Sequence, residues 1–220
     1  NRLMGLIHHL VESSRLPLSL FLSMTRFPDA AGNQIASPLL AKSQIIELRP
    51  FDFFEMEEML AGLLRGYASI ATEEKNWLYA QSGGHPYILK LIIANIFEGY
   101  DPGPEPVLIT RSILEKAMLK AVDDPRGQYA FENIYRVHFN ADEKRVMLYL
   151  AERGEPVNAN ELRAASITLL TAAKNLQKRH YFVERDGEYS MRAQFLGEWL
   201  RNWAEFDEEI ERLNVHQMVR

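Results

Sequence analysis

Residues 181–192 read YFVERDGEYSMR, and this stretch indicates the fold of the C-terminal part of the chain. Its centre is the pair Asp186-Gly187, which lies between two runs of alternating apolar and polar side chains. Such a pair is a strong local signal for a β-hairpin, because both residues tolerate the positive φ of a tight two-residue turn. We therefore predict two short antiparallel strands that are joined at Asp186-Gly187.

Three helical patterns come directly before this hairpin. The first runs from the capping residue Asn140 to Gly154, which is a typical helix-ending residue. Asn158 caps a second, shorter helix, and Ser166 or Thr168 opens a third. Three helices followed by a two-stranded hairpin are the order of a winged-helix domain.

A run of apolar residues at helical spacing, from position 195 to position 213, follows the hairpin. This spacing predicts one long amphipathic helix that closes the chain. We therefore expect a winged-helix domain with a long C-terminal helix over residues 139–220.

Residues 51–138 carry only helical periodicity and predict a compact, all-helical block. Thr72 is the expected N-cap of its second helix. Gly83 and Gly84 end that helix, and Pro86 suits the first turn of the next one.

Residues 1–50 contain two strand patterns, over residues 18–24 and 44–48. Two strands are too few for a closed α/β layer, so we interpret this region as the tail of a larger sheet. The predicted fold class is mainly α with small β. Its three parts are residues 1–50 (the sheet remnant), 51–138 (the helical block) and 139–220 (the winged helix).

Composition narrows the possible functions. The net charge of -5 gives no general attraction to nucleic acid, and the absence of cysteine excludes disulfides, thiolate metal sites and cysteine nucleophiles. No apolar run reaches the length of a membrane span, so we expect no membrane partner and a cytoplasmic location. The histidines are scattered, which predicts no metal site, and no motif supplies catalytic residues. Since residue 1 is Asn, we expect the chain to be a piece of a longer protein.

The motif that binds nucleotide phosphates is missing. That motif needs a glycine-rich loop that ends in Lys and Ser or Thr, and none of the twelve glycines is followed by Lys. No apolar strand ends in the Asp-Glu pair that would hold magnesium. We therefore expect this chain alone to bind no cofactor and to hydrolyse no ATP.

Two stretches are candidates for contact with an anion. The first is the end of the strand over residues 18–24, where Thr25 and Arg26 follow the apolar run. The second is the turn at Gly84, His85 and Pro86, where paired glycines before a helix leave backbone N–H groups open to an anion. A strand end that meets water and an ordinary helix–helix turn are the plainer alternatives, and the sequence leaves both open.

The order of these features resembles the signal-transducing STAND ATPases and their origin-recognition-like and archaeal AAA relatives. The segment over residues 148–154, LYLAERG, is also similar to the first winged-helix helix of such proteins. The resemblance implies that Arg26 faces the γ-phosphate and that Gly84, His85 and Pro86 form a lid turn near the nucleotide. It further implies ATP or ADP with magnesium as cofactors of the full-length protein, and an ATPase core upstream of Asn1 as a partner.

DNA is a possible partner of the third helix of the winged helix. At helical spacing this helix presents candidate contacts to nucleic acid, namely Thr171, Lys174, Asn175, Lys178 and Arg179. However, its leading turn over residues 167–170 is apolar, and the hairpin tip over residues 184–188 is acidic. Residues 140–192 hold nine Lys and Arg against eight Asp and Glu, which is far from a basic module.

We therefore favour the lid and winged-helix region of a regulatory ATPase, in which the winged helix packs on the ATPase core as a regulatory arm. The change in nucleotide would be passed to a protein partner, or the chain would associate with itself. A winged-helix DNA-binding regulator and a protein-interaction scaffold remain the alternatives.

Overall fold

The computed structural model of the chain describes residues 48–98 and 105–216. The strand predicted over residues 18–24 lies outside this range, as do all but the last residue of the one predicted over 44–48. The described residues are mainly helical with small sheets, which confirms the predicted class at that level. Their helices are α1 (Phe53–Leu64), α2 (Thr72–Ser82), α3 (Pro86–Phe97), α4 (Arg111–Asp123), α5 (Pro125–His138), α6 (Ala141–Arg153), α7 (Ala159–Ala165), α8 (Ile167–Lys178), α9 (Gln194–Asn202) and α10 (Phe206–Arg212). Their strands are β1 (Ala68–Ile70), β2 (Val107–Ile109), β3 (Val157–Asn158), β4 (Phe182–Arg185) and β5 (Glu188–Met191).

Local signals set the ends of the first helices. Helix α1 begins at a capping box, in which the Asp52 side chain accepts the Glu55 N–H at 2.9 Å and the Glu55 carboxylate accepts the Asp52 N–H at 2.8 Å. Gly83 ends α2 in the left-handed conformation, and Pro86 opens α3, as predicted. Helix α3 buries apolar side chains around most of its circumference, so it is the centre of this block and packs against α4.

The block is not all-helical, which corrects the prediction. Strand β1 pairs with β2 in parallel, with Ala68 opposite Val107 and Ile70 opposite Ile109. Each strand has three residues, which is too short to show an alternating pattern against the helical periodicity around it. The pairing also depends on a contact between distant parts of the chain, which no local pattern reports.

Helix α2 does not use Thr72 as its N-cap. Thr72 is the first helical residue, and Ala71 holds the N-cap position without a side-chain hydrogen bond. The prediction was wrong by one residue because Ile70 still belongs to β1, so the chain passes from strand to helix within one residue. Glu73 and Glu74 nevertheless lie in the first turn, where the helix dipole favours negative charge.

The hairpin forms where the sequence predicts it. Asp186 and Gly187 both have positive φ, at 54° and 82°, and join β4 to β5 with Arg185 opposite Glu188. Strand β3 pairs with the other edge of β5, so the sheet has the order β3-β5-β4 and is antiparallel throughout. A short strand between α6 and α7 was not predicted, since two residues leave no pattern.

Side-chain caps begin the three helices in front of the hairpin. Asn140 accepts the Glu143 N–H at 2.9 Å, Asn158 accepts the N–H of residue 160 at 2.9 Å, and Ser166 accepts the N–H of residue 168 at 3.2 Å. These caps confirm the predicted starts and settle the third on Ser166.

The closing helix is broken, which corrects the prediction of one long helix. Trp203 has an extended backbone, with φ -71° and ψ 131°, and separates α9 from α10. The break turns Ile210 and Leu213 back onto the core, where both are buried. Arg145 holds this end, since its Nε donates to the Leu213 carbonyl oxygen at 2.7 Å. Apolar periodicity continued through position 203 and therefore hid the break.

The described residues between 49 and 216 form one compact unit, and those of the blocks predicted over residues 51–138 and 139–220 share a single core. Helix α9 provides contacts between the two blocks. The fully buried ring of Trp199 lies against Phe131 of α5, with ring centroids 5.6 Å apart, and its Nε1 donates to the Gln128 side chain at 3.1 Å. Phe195 packs on the same Phe131 ring at 5.5 Å.

The junction of α4 and α5 is held by a buried carboxylate. Asp124 caps α5 by accepting the Arg126 N–H at 2.8 Å, and its side chain also accepts the Arg126 guanidinium and the Asn95 amide, the latter at 3.0 Å. The side-chain hydrogen bond from Arg126 is the main reason that the pKa of Asp124 lies well below its usual value, and the Asn95 amide adds to the effect although burial opposes it.

Because folding lowers the pKa of Asp124, its stabilising contribution is complete above the unfolded-state pKa of about 3.9 and is lost as the pH falls below that value. We expect Asp124→Asn to lower the free energy of unfolding at neutral pH by about 1–3 kcal/mol and to weaken the acid dependence below about pH 4. Urea unfolding at several pH values measures both effects. Asp123→Asn, at an exposed position one residue earlier, is the matched control. Equal acid dependence in the wild type and in Asp124→Asn would contradict the expectation.

Candidate functional site

The predicted turn at Gly84, His85 and Pro86 is a tight connection between α2 and α3. Gly83 and Gly84 both have positive φ, at 59° and 76°. The Gly83 N–H donates to the Tyr79 carbonyl oxygen at 2.8 Å, and the Gly84 N–H donates to Ser82 Oγ at 3.2 Å. The His85 N–H donates to the Ser82 carbonyl oxygen at 3.0 Å.

These three hydrogen bonds correct the argument that made this turn a candidate anion site. We predicted that paired glycines leave backbone donors open to an anion, but the N–H groups of Gly83, Gly84 and His85 are all used inside the turn. Pro86 has no N–H to offer. The His85 side chain is exposed and makes no capping hydrogen bond to α3. The N–H groups of these three residues are therefore not open to an anion, whereas those of Tyr87 and Ile88, in the first turn of α3, have no partner inside that helix.

The Gly83-Gly84 turn contacts two segments that are distant in sequence. On one side the Phe51 N–H donates to the Gly84 carbonyl oxygen at 2.8 Å, and a Cβ on Gly84 would overlap the Phe51 carbonyl oxygen. On the other side a Cβ on Gly83 would lie 2.8 Å from the backbone and from Cγ of Arg192. Neither glycine can carry a side chain without displacing one of these segments.

Arg192 is the residue at this turn that the sequence did not single out. It follows β5, its N–H donates to the Tyr181 carbonyl oxygen at 2.9 Å, and its side chain is half-buried. Its Nε is buried without a hydrogen-bond partner in the described residues. A buried guanidinium nitrogen without a partner is costly. Because Nε itself is enclosed by protein atoms, a ligand could reach only the remaining part of this half-buried side chain. No local pattern could have identified it, because its position depends on a contact between residues 83 and 192.

A second polar contact joins the same two parts of the molecule. The Gln81 side chain, which is buried in α2, donates to the Gln194 side chain in α9 at 2.6 Å. Together with the Arg192–Gly83 contact, this bond ties the end of α2 to the segment that follows the hairpin.

Thr25 and Arg26, the other predicted nucleotide contacts, lie outside the described residues, and their role stays a prediction. No group of three or more His, Asp or Glu residues that could hold a metal ion is found in the part of the chain that the structure describes. None of the helices described is long and apolar enough to cross a membrane.

The predicted nucleic-acid contacts on α8 separate into two groups. Thr171, Lys174 and Lys178 are exposed along one face, and Asn175 is half-buried. Arg179 is turned inward instead: its guanidinium lies 3.2 Å from both carboxylate oxygens of the buried Glu143.

Further contacts hold the Arg179 guanidinium against the fold, while its side chain keeps 31% of its surface exposed, and its contact with DNA stays a prediction. The guanidinium donates to the His138 carbonyl oxygen at 3.0 Å and lies over the rings of Phe139 and Tyr181, 5.1 Å and 5.4 Å from their centroids. Removing it would leave Glu143 buried without its cation, so Arg179 serves the fold.

The leading turn of α8 and the hairpin tip largely keep the apolar and acidic character that their sequences indicate. Leu169 and Leu170 are each only 3% exposed, so these two residues of the apolar leading turn pack within this chain. Ile167, by contrast, is 64% exposed. The hairpin tip exposes Glu184, Asp186 and Glu188, which keeps its acidic character at the surface.

Comparisons of the chain with models of protein families, with curated proteins and with solved structures found no match.

Proposed function

We propose that this chain is the lid and winged-helix region of a nucleotide-dependent regulatory ATPase. In this proposal the helical block over residues 51–138 is the lid, and α6 to β5 form the winged helix. The order of three helices and a hairpin, with a third short strand on β5, supports the second assignment. ATP or ADP with magnesium would be the ligand of the full-length protein, whose phosphate-binding core must supply the glycine-rich loop that this sequence lacks.

The observation that carries the proposal is the position of the Gly83-Gly84 turn. Phe51, on one side, is the first residue of the lid, just before α1, and Arg192, on the other, follows the hairpin. A movement of the turn would displace one of these neighbours, because close-packed backbone contacts leave no room for independent motion. The turn is thus suited to pass a change at the lid directly to the C-terminal block.

Only some of the groups at the Gly83-Gly84 turn are suited to bind a nucleotide. The N–H groups of Gly83, Gly84 and His85 are occupied, but the half-buried Arg192 side chain lies against the turn, where a Cβ on Gly83 would come within 2.8 Å of its Cγ. Within the proposal Arg192 holds a phosphate oxygen by charge-assisted hydrogen bonds, and the exposed His85 lies at the same turn. The bound nucleotide would supply the phosphates whose number changes on hydrolysis, and the chain would sense that change without performing it.

The test is nucleotide binding by the natural full-length protein, measured with fluorescent ADP and ATP analogues. We expect Arg192→Ala to weaken binding by about tenfold or more, since a hydrogen bond to a charged group contributes about 1.5–3 kcal/mol. Arg163→Ala is the matched control, because Arg163 is an exposed arginine of α7 with no ion pair in the described residues. A full-length protein that binds neither nucleotide, or an Arg192→Ala variant with unchanged affinity, would overturn the proposal.

A DNA-binding regulator is the less favoured function. The exposed Lys174 and Lys178 favour it, but the inward position of Arg179 removes a third cation from the face. The acidic hairpin tip would also lie beside the phosphates of a duplex bound to α8 in the manner of a recognition helix.

A further inference from the structure

The exposed face of α8 differs in charge from the rest of the chain. Residues 162–183 contain no Asp or Glu but four Lys and Arg, so this segment carries +4 and the remainder carries -9. Arg179 is used internally by Glu143. Arg163, Lys174 and Lys178 are exposed, and the described residues give none of them an ion pair. Three exposed cations that form no ion pair with the described residues therefore lie on α7 and α8.

The same face also has an apolar end. Ile167 is 64% exposed at the first turn of α8, and the small side chains of Ala164 and Ala165 beside it are exposed as well. Residues 167, 171, 174 and 178 follow one another at helical spacing, so the apolar end and the two lysines lie along one line of the helix. A face with an apolar anchor at one end and cations at the other is complementary to an amphipathic segment with acidic residues.

We infer that α8 is the docking face for an acidic, amphipathic helical segment of a partner protein. The apolar residues of that segment would cover Ile167, and its carboxylates would pair with Lys174 and Lys178. A protein segment fits better than DNA because phosphates gain nothing from an exposed isoleucine and are repelled by the acidic hairpin tip. This inference rests on the proposed role of the C-terminal block as the regulatory arm that contacts a partner.

The probe is a fluorescein-labelled helical peptide of about 15 residues, or about four turns, with leucine on one face and glutamate on its flanks. Fluorescence anisotropy of the full chain with this peptide is measured without nucleotide, so its result is independent of the nucleotide test. A peptide with lysine in place of glutamate, and a DNA duplex, are measured in parallel at physiological salt.

We expect the acidic peptide to bind and the lysine peptide not to bind. The variant Lys174→Glu/Lys178→Glu should lose at least about tenfold in affinity, because two attractive pairs become repulsive. Lys116→Glu/Lys120→Glu is the matched control: both lysines are exposed on α4, four residues apart, and the net charge changes by the same amount. Ile167→Ser should also weaken binding, whereas Leu119→Ser, at an equally exposed apolar position of α4, should not.

Each of four results would overturn the inference. An equal loss in the two lysine variants would mean that only net charge matters. Tighter binding of the duplex than of the acidic peptide, abolished by Lys174→Glu/Lys178→Glu, would make α8 a DNA-binding surface. Self-association of the chain that this variant abolishes would identify a second copy as the occupant. Failure of the acidic peptide to bind would mean that α8 is not a docking face for such a segment.

Discussion

Replacing Trp199 by alanine is expected to destabilise residues 49–220 as a whole, by roughly 3–5 kcal/mol. The ring is fully buried between α5 and the end of α9, stacked on Trp203 at 5.8 Å. Its loss would leave a cavity against Phe131 and would deprive Gln128 of its indole partner, which adds about 1 kcal/mol. Since domains of this size are stable by about 5–15 kcal/mol, the change removes a large share of the total.

Urea unfolding followed by far-ultraviolet circular dichroism measures this loss. Trp199→Phe keeps most of the ring volume and should lose less, which preserves the test if the alanine variant does not fold. Tyr129→Ala is the control, since Tyr129 is an aromatic residue of α5 that is 78% exposed and should cost no more than about 0.5 kcal/mol.

The same urea unfolding also tests whether the chain divides into two separate domains near residue 138. Because Trp199 of the C-terminal block packs on α5 of the helical block, both should unfold in one transition that moves as a whole. Two transitions, of which Trp199→Ala shifts only the later part, would mean that the blocks are separate domains with a weak interface.

Features that depend on a few neighbouring residues could be predicted from the sequence. The Asp186-Gly187 hairpin is one example, because the two residues with positive φ and the alternating runs beside them specify the turn locally. The caps at Asn140 and Ser166 are others, since each needs only a side-chain oxygen two or three positions before a free N–H.

Features that depend on distant contacts could not be predicted. The pairing of β1 with β2 joins segments on either side of two helices, and each strand is too short to be recognised alone. Arg179 illustrates the same limit at a candidate site. Its position at the C-terminal end of α8 indicates a surface cation, but the buried carboxylate of Glu143 on another helix holds it inward.

At the Gly83-Gly84 turn, one feature follows from the local sequence and another depends on distant contacts. The sequence indicates the turn itself, because paired glycines before Pro86 end one helix and begin another. Its contacts with Phe51 and Arg192 come from segments far away in the chain, and they, rather than open N–H groups, account for the need for glycine.

Gly84→Ala should therefore be far more damaging than the same change at another glycine with positive φ. Gly66, with φ 80° and no atom within 4 Å of an added Cβ, isolates the backbone strain, which is worth about 1 kcal/mol. At Gly84 the added Cβ overlaps the Phe51 carbonyl oxygen, so overpacking and the loss of the Phe51–Gly84 hydrogen bond raise the cost to roughly 3 kcal/mol or more.

The difference between the two alanine variants in the free energy of unfolding isolates the contact with Phe51, because both share the backbone strain. Gly83→Ala, whose Cβ would lie 2.8 Å from Arg192, should also lower the free energy of unfolding by more than Gly66→Ala does. If Gly84→Ala and Gly66→Ala were equally stable, Phe51 would not be held against the turn. The turn could then not pass a movement of the lid to its neighbours, and the proposed coupling between the lid and the C-terminal block would lose its physical basis.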